Sequence, residues 1–156
     1  MRKIVEKSNL RNKKILLRLD LNVPLKNGKI TDTTRIDKII PTLKFLINQN
    51  SKIIILSHVG RPKGQFDNRL SLKPICKSIE KKINQNIKLI TKNVKEITNQ
   101  NLFDNISEKI IMLENIRFYN EEEKNNYEFA GHLASLADIY VNDAFSCSHR
   151  EHASIT

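Results

Sequence analysis

Residues 52–64 read KIIILSHVGRPKG, an apolar run that passes directly into a loop holding a histidine, an arginine and a lysine around two glycines. An unbroken apolar run of this length, without polar alternation, is the pattern of a strand covered on both faces. The loop behind it combines cations with exposed backbone N–H groups, which is how a chain holds an anion. Gly60 suits a tight turn there and lets the backbone approach such a guest closely.

The same kind of run recurs on either side of this stretch. KILLRLDL at 14–21, KIIML at 109–113 and DIYVND at 138–143 read as strands, and IKLIT at 87–91 as a weaker one. Helical spacing falls between them. In 35–48 the residues Ile36, Ile39, Ile40, Leu43, Leu46 and Ile47 share a face after the cap-rich TDTT, with Pro41 near the start of the helix or kinking it. SLKPICKSIEKKI at 71–83 offers Ser71 as N-cap and aligns Leu72, Ile75, Ile79 and Ile83. VKEITNQNLF at 94–103 and YEFAGHLASLA at 127–137 supply two more helices, the second grouping Phe129, Leu133 and Leu136. Strands alternating with helices predict an α/β domain: a three-layer, Rossmann-like parallel sheet with helices on both faces, whose ligands bind beyond the carboxyl ends of the strands.

Composition sets the outer limits. With 156 residues, 39% of them hydrophobic and 28% charged, the chain reads as one globular domain. Lys and Arg number 27 against 17 Asp and Glu, a net +10 that favours an acidic partner. The lysines are scattered and no aromatic residues interleave with a basic run, so a single-strand nucleic-acid platform is not indicated. The run ILLRLDLNV is interrupted by Arg18 and Asp20, which rules it out as a membrane span or signal-peptide core. Cys76 and Cys147 lie far apart without paired spacing, which suits a reducing cytoplasm and no disulfide framework.

The strand ends carry the chemistry. The first delivers Asp20, Leu21 and Asn22; the second Ser57, His58, Val59, Gly60 and Arg61; the third Glu114, Asn115, Ile116 and Arg117; the fourth Asn142, Asp143 and then SCSHREHAS with Arg150. Arg61, Arg117 and Arg150 would meet on one rim, joined by Arg35 from the start of the first helix. One such arginine reads as surface charge. Several on one rim repel, by about 4 kcal/mol for unit charges about 4 Å apart at an effective dielectric near 20, unless an anion lies between them. A phosphate or carboxylate gripped by bidentate arginine forks fits best. Asp20 and Asn22 read equally well as a turn pair or as ligand contacts. His149 and His152 lack a further ligand at zinc spacing, and Cys147 reads as a loop filler more readily than as a nucleophile. Neither G-x-x-x-x-G-K-[ST] nor G-x-G-x-x-G occurs.

Taken in order, RLDLNVPLKNGKITDTTRI, ILSHVGRPKG, LENIRFYNEEE and YVNDAFSCSHREHAS closely resemble the amino-terminal domain of phosphoglycerate kinase. The resemblance implies reversible phosphoryl transfer between 1,3-bisphosphoglycerate and ADP, giving 3-phosphoglycerate and ATP, in glycolysis and gluconeogenesis. It implies substrate contacts at Asp20, Leu21, Asn22, His58, Val59, Gly60, Arg61, Arg117 and Arg150, and a catalytic role for Arg35 in stabilising the transferring group. Mg-ATP or Mg-ADP would be bound by a second domain that has no counterpart in residues 1–156, so this glycerate-binding domain is expected to be incomplete and inactive alone. A cytoplasmic monomer, with no metal site of its own and no membrane or nucleic-acid partner, is also implied. Glu151 stands where the family commonly has alanine, beside Arg150. The rival expectation is a stand-alone anion-binding module for phosphorylated metabolites or nucleic acid.

Overall fold

The computed structural model describes residues 13–19, 21, 23, 25–26, 29–58, 70–91, 94–103, 106–116 and 127–143, without the side chains of 25, 26, 127, 129, 130, 142 and 143. Along the chain come β1 (Lys14–Leu19), the short antiparallel pair β2 (Leu25–Lys26) and β3 (Lys29–Ile30), α1 (Thr34–Asn48) and β4 (Lys52–Leu56). Next are α2 (Lys73–Ile83), β5 (Lys88–Ile90), a 3-10 turn at Val94–Glu96, β6 (Ile110–Leu113), α3 (Tyr127–Ser135) and β7 (Ile139–Asp143). Five strands make one sheet in the order β5-β6-β4-β1-β7, every neighbouring pair parallel. Ile15 stands level with Ile53 on one side and Ile139 on the other, and Ile53 with Ile110.

Alternation along each strand divides the core into two apolar layers. Ile15, Leu17, Ile53, Ile55, Ile110 and Met112 face α1 and α2, which contribute Ile36, Leu43, Leu46, Ile75 and Ile79. Leu16, Ile54, Leu56, Ile111 and Leu113 face Leu133 and Leu136 of the α3 segment, with Val94, Ile97 and Leu102. Both faces are therefore covered, which is why these strands read as continuous apolar runs. Each fully buried Leu or Ile contributes about 1.5–3 kcal/mol. The three-layer α/β sheet expected from the sequence is the fold observed.

Several local expectations need correction. Residues 94–103 do not form a helix: after the 3-10 turn, Thr98 and Asn101 cross-bond, Asn101 Oδ1 accepting from Thr98 N at 2.8 Å and Thr98 Oγ1 from Asn101 N at 3.2 Å. These polar side chains offer the backbone a turn in place of a helical ladder. Ser71 is not the N-cap of α2, since Leu72 occupies that position; Ser71 Oγ accepts from Lys73 N at 3.2 Å from one residue further out. Pro41 sits well inside α1, at an exposed position, where it removes one backbone hydrogen bond. The weak strand at 87–91 is real but short and only partly buried, as an edge strand is.

Lys82 of α2 donates to Asp37 in the first turn of α1, tying the two helices together at the surface. That hydrogen bond is the main reason the Asp37 carboxyl lies below its ordinary value of 3.8. A carboxylate depressed in the folded state stabilises the fold above its unfolded pKa and loses that contribution as pH falls through the folded one. Asp37→Asn is therefore expected to be slightly less stable than the parent at pH 7 and indistinguishable from it well below pH 3.8, read by urea denaturation at both pH values.

Candidate functional site

The connections leaving β4 and β6 run to opposite faces of the sheet. α2 packs in the layer with α1, whereas the α3 segment packs in the other. A parallel sheet opens a crevice at the carboxyl ends of two such strands, and ligands bind there. By that rule the edge to consider here is the one between Ser57–His58 after β4 and Glu114–Ile116 after β6.

Ser57 is buried and stitches this edge together. Its Oγ donates to Leu19 O at 2.7 Å and accepts from Leu21 N at 3.2 Å, while its carbonyl accepts from Ile116 N at 3.0 Å. The exits of β1, β4 and β6 are thereby held at fixed spacing. Leu21 is itself wholly buried in the core and its carbonyl accepts from Val23 N at 2.7 Å, so both its side chain and its backbone are held.

Beyond β6 the polar residues are structural. Glu114 accepts from Ser71 Oγ at 2.7 Å, Leu72 N at 2.7 Å and Asn115 N at 2.9 Å, and Asn115 Nδ2 donates to Leu70 O at 2.9 Å. Together they fasten the start of α2 to the end of β6, and the carboxylate takes up N–H groups that a helix start leaves unpartnered. Glu114 thus does from another element what Ser71 was expected to do as an N-cap.

His58 is 2% exposed and lies 3.0 Å through Nδ1 from Nη2 of Arg18. Arg18, on the inner strand β1 level with Leu56 and Asn142, has no exposed surface at all. Among the described residues its Nε and Nη1 have no hydrogen-bond partner, and no carboxylate forms an ion pair with it. A buried cation left in this condition is costly. Sequence reasoning passed Arg18 over as a mere interruption of an apolar run; the one signal available was a lone charge between apolar residues on both sides.

Arg35 is exposed in the first turn of α1. Because α1 is the crossover from β1 to its parallel neighbour β4, that turn lies on the carboxyl side of the sheet. Asp32 Oδ1 accepts from Thr34 N at 2.9 Å and from Thr34 Oγ1 at 2.6 Å, fixing the turn that presents Arg35 and holding the Asp32 carboxyl below its ordinary range. Leu21, Arg35 and His58 are thus placed at the same edge. Asp20, Asn22, Val59, Gly60, Arg61, Arg117 and Arg150 lie outside the described residues, as do Cys147, His149, Glu151 and His152.

The remaining features carry less chemistry. Burial pushes the Cys76 thiol up to about 12, so it has no thiolate character near neutrality. Among the described residues no group of His, Cys, Asp or Glu could hold a metal ion. Among them, too, no helix is long and apolar enough to cross a membrane. A depression of about 410 Å³ lined by Leu89, Ile90, Ile97 and Leu102, and a polar one of about 540 Å³ beside Lys77, Lys81 and Asn84, include neither Arg35 nor His58 among their described lining residues.

The sequence profile of the phosphoglycerate kinase family matches residues 5–156. The chain is 51% identical over 152 residues to the phosphoglycerate kinase of Wolbachia pipientis wMel, covering 97% of this chain and 38% of that protein. It is 46% identical over 153 residues to that of Prochlorococcus marinus (strain MIT 9312), covering 96% and 38%. Its fold superposes on phosphoglycerate kinase from Coxiella burnetii with a TM-score of 0.84 at 41% identity, covering 96% of this chain and 37% of that one. For the enzyme from Pyrococcus horikoshii OT3 the TM-score is 0.82 at 30% identity, covering 96% and 38%. The chain therefore spans about 38% of the length of the relatives it matches, and it belongs to the phosphoglycerate kinase family.

Proposed function

We propose that this chain is the glycerate-binding part of a phosphoglycerate kinase, which moves a phosphoryl group reversibly between 1,3-bisphosphoglycerate and ADP to give 3-phosphoglycerate and ATP. The observation that carries the reading is Arg18: a fully buried guanidinium with two nitrogens unpartnered among the described residues, beside His58 near the carboxyl edge of a parallel sheet. An anion bound at this edge would compensate that charge. 3-phosphoglycerate, with a phosphate and a carboxylate, brings two such groups.

Asp20, Leu21, Asn22, His58, Val59, Gly60, Arg61, Arg117 and Arg150 form the substrate contacts in this reading, with Leu21 acting as the spacer. Arg35, on an exposed helix start, meets the transferring phosphoryl group. Such transfer needs little covalent assistance and much charge stabilisation, which suits a guanidinium. The Mg-nucleotide supplies the phosphoryl acceptor or donor, and it belongs to the part of the protein that these residues do not cover. The whole enzyme works as a monomer in the cytoplasm, without membrane or nucleic-acid partner.

A coupled assay with ATP and 3-phosphoglycerate tests this directly. The full-length protein should turn over, and the 156-residue piece, freed of host enzyme, should show no transfer. Turnover by the piece alone would refute the division of labour. Inactivity of the full-length protein, combined with tight and steeply salt-dependent binding to duplex DNA, would favour a nucleic-acid module instead.

A further inference from the structure

The backbone pairing of β1 with β4 ends at Leu56, yet the two chains stay bonded one step further. In a parallel ladder every second residue of one strand bonds, through its N–H and its C=O, to the groups flanking the residue opposite. Lys52 N donates to Lys13 O at 2.9 Å, and the pairing advances from Lys14 opposite Lys52 to Arg18 opposite Leu56. One further step would set the peptide groups of residue 58 against Leu19 O and Leu21 N. Both of those groups are bonded by Ser57 Oγ, which donates to Leu19 O at 2.7 Å and accepts from Leu21 N at 3.2 Å. A hydroxyl suits the exchange because one atom is both donor and acceptor. A side chain thus makes the final rung, and the main chain of β4 leaves the register while β1 keeps a partner. The Ser57 carbonyl accepts from Ile116 N at 3.0 Å, so the same residue also holds the exit of β6.

We propose that Ser57 is a positioning residue for the glycerate site, its hydroxyl replacing the last backbone rung and thereby setting how far apart the exits of β1, β4 and β6 stand. The proposal deepens the reading above and rests on it for the identity of the ligand. In that reading most of the substrate contacts leave from these three exits, at 20–22, 58–61 and 117, so an error in the spacing is shared by all of them. A spacing fixed before binding is pre-organisation. Without the rung, the ligand must order the exits itself, at a cost in affinity.

The test pairs amide hydrogen exchange with binding, both on the full-length protein. Without ligand, the Leu21 amide of the parent should exchange as slowly as those of Leu16 and Leu17, and in Ser57→Ala it should become about tenfold faster relative to them. Ser57→Ala should also bind 3-phosphoglycerate about tenfold more weakly. In turnover the loss should fall on the KM for 3-phosphoglycerate, with kcat and the KM for ATP little changed, because contacts that hold the glycerate act in the ground and transition states alike. Ser57→Thr retains the hydroxyl and should recover most of the affinity. Leu102→Ala, which removes apolar contact from the other layer of the core, controls for lost stability and should bind as the parent does. A freely exchanging Leu21 amide in the parent, parent affinity in a folded Ser57→Ala protein, or an equal loss in Leu102→Ala would overturn the proposal. Should Ser57→Ala not fold, Ser57→Cys, whose thiol donates and accepts only weakly, carries the same comparison with a smaller expected loss. If the parent itself does not bind 3-phosphoglycerate, the ligand assignment falls, and the selective exchange of Leu21 still decides whether Ser57 makes the rung.

Discussion

Arg18→Met is expected to leave the fold as stable as the parent, within about 1 kcal/mol, and to weaken 3-phosphoglycerate binding at least a hundredfold. A buried charge replaced by an apolar side chain of similar size is often neutral or stabilising, because its desolvation penalty disappears. Among the described residues Nε and Nη1 already lack partners, so little hydrogen bonding is lost with them. Against that gain stands His58 Nδ1, which loses its donor at a cost of about 1–3 kcal/mol for an unsatisfied buried group. The two effects offset. Binding has no such compensation: at a separation of about 6 Å and an effective dielectric near 20, one unit charge contributes about 3 kcal/mol per anionic charge, or roughly a hundredfold. Urea denaturation without ligand and calorimetric titration with 3-phosphoglycerate measure the two quantities separately. A variant that unfolds yet binds normally when folded would mean that Arg18 serves the core and not the site.

Glu114→Ala should destabilise the fold by about 3 kcal/mol, with ligand affinity of the surviving folded fraction little changed. The carboxylate is 9% exposed and accepts from Ser71 Oγ, Leu72 N and Asn115 N. Truncation strands the buried Leu72 N–H and removes a negative charge from the start of α2, each worth on the order of 1 kcal/mol or more. Glu114→Gln keeps one acceptor oxygen and should recover part of the loss. Equal urea midpoints for Glu114→Ala and the parent would show that the start of α2 is held by other means.

The sheet was legible because each inner strand is covered on both faces, and a doubly covered strand leaves a run such as the IIIL of residues 53–56 with nothing polar in it. The positions of His58 after β4 and of Arg35 at the start of α1 follow from that reading, since the edges of apolar runs locate the strand ends. Two features resisted. The segment at 94–103 has apolar residues at helical intervals, but the mutual hydrogen bonds of Thr98 and Asn101 decide its backbone, and periodicity does not register them. Arg18 stood in plain view within KILLRLDL, yet its burial and its contact with His58 arise from a pairing 40 residues apart that only the folded sheet reveals.

The most direct measurement is a 1H–15N titration of the full-length protein with 3-phosphoglycerate, followed residue by residue. Saturable shifts are expected at Leu21, Arg35, Ser57 and His58, with the depression along β5 and the carboxyl end of α2 unaffected. If saturating 3-phosphoglycerate leaves Ser57 and His58 unmoved, or shifts only the β5 side, the carboxyl edge is not the glycerate site.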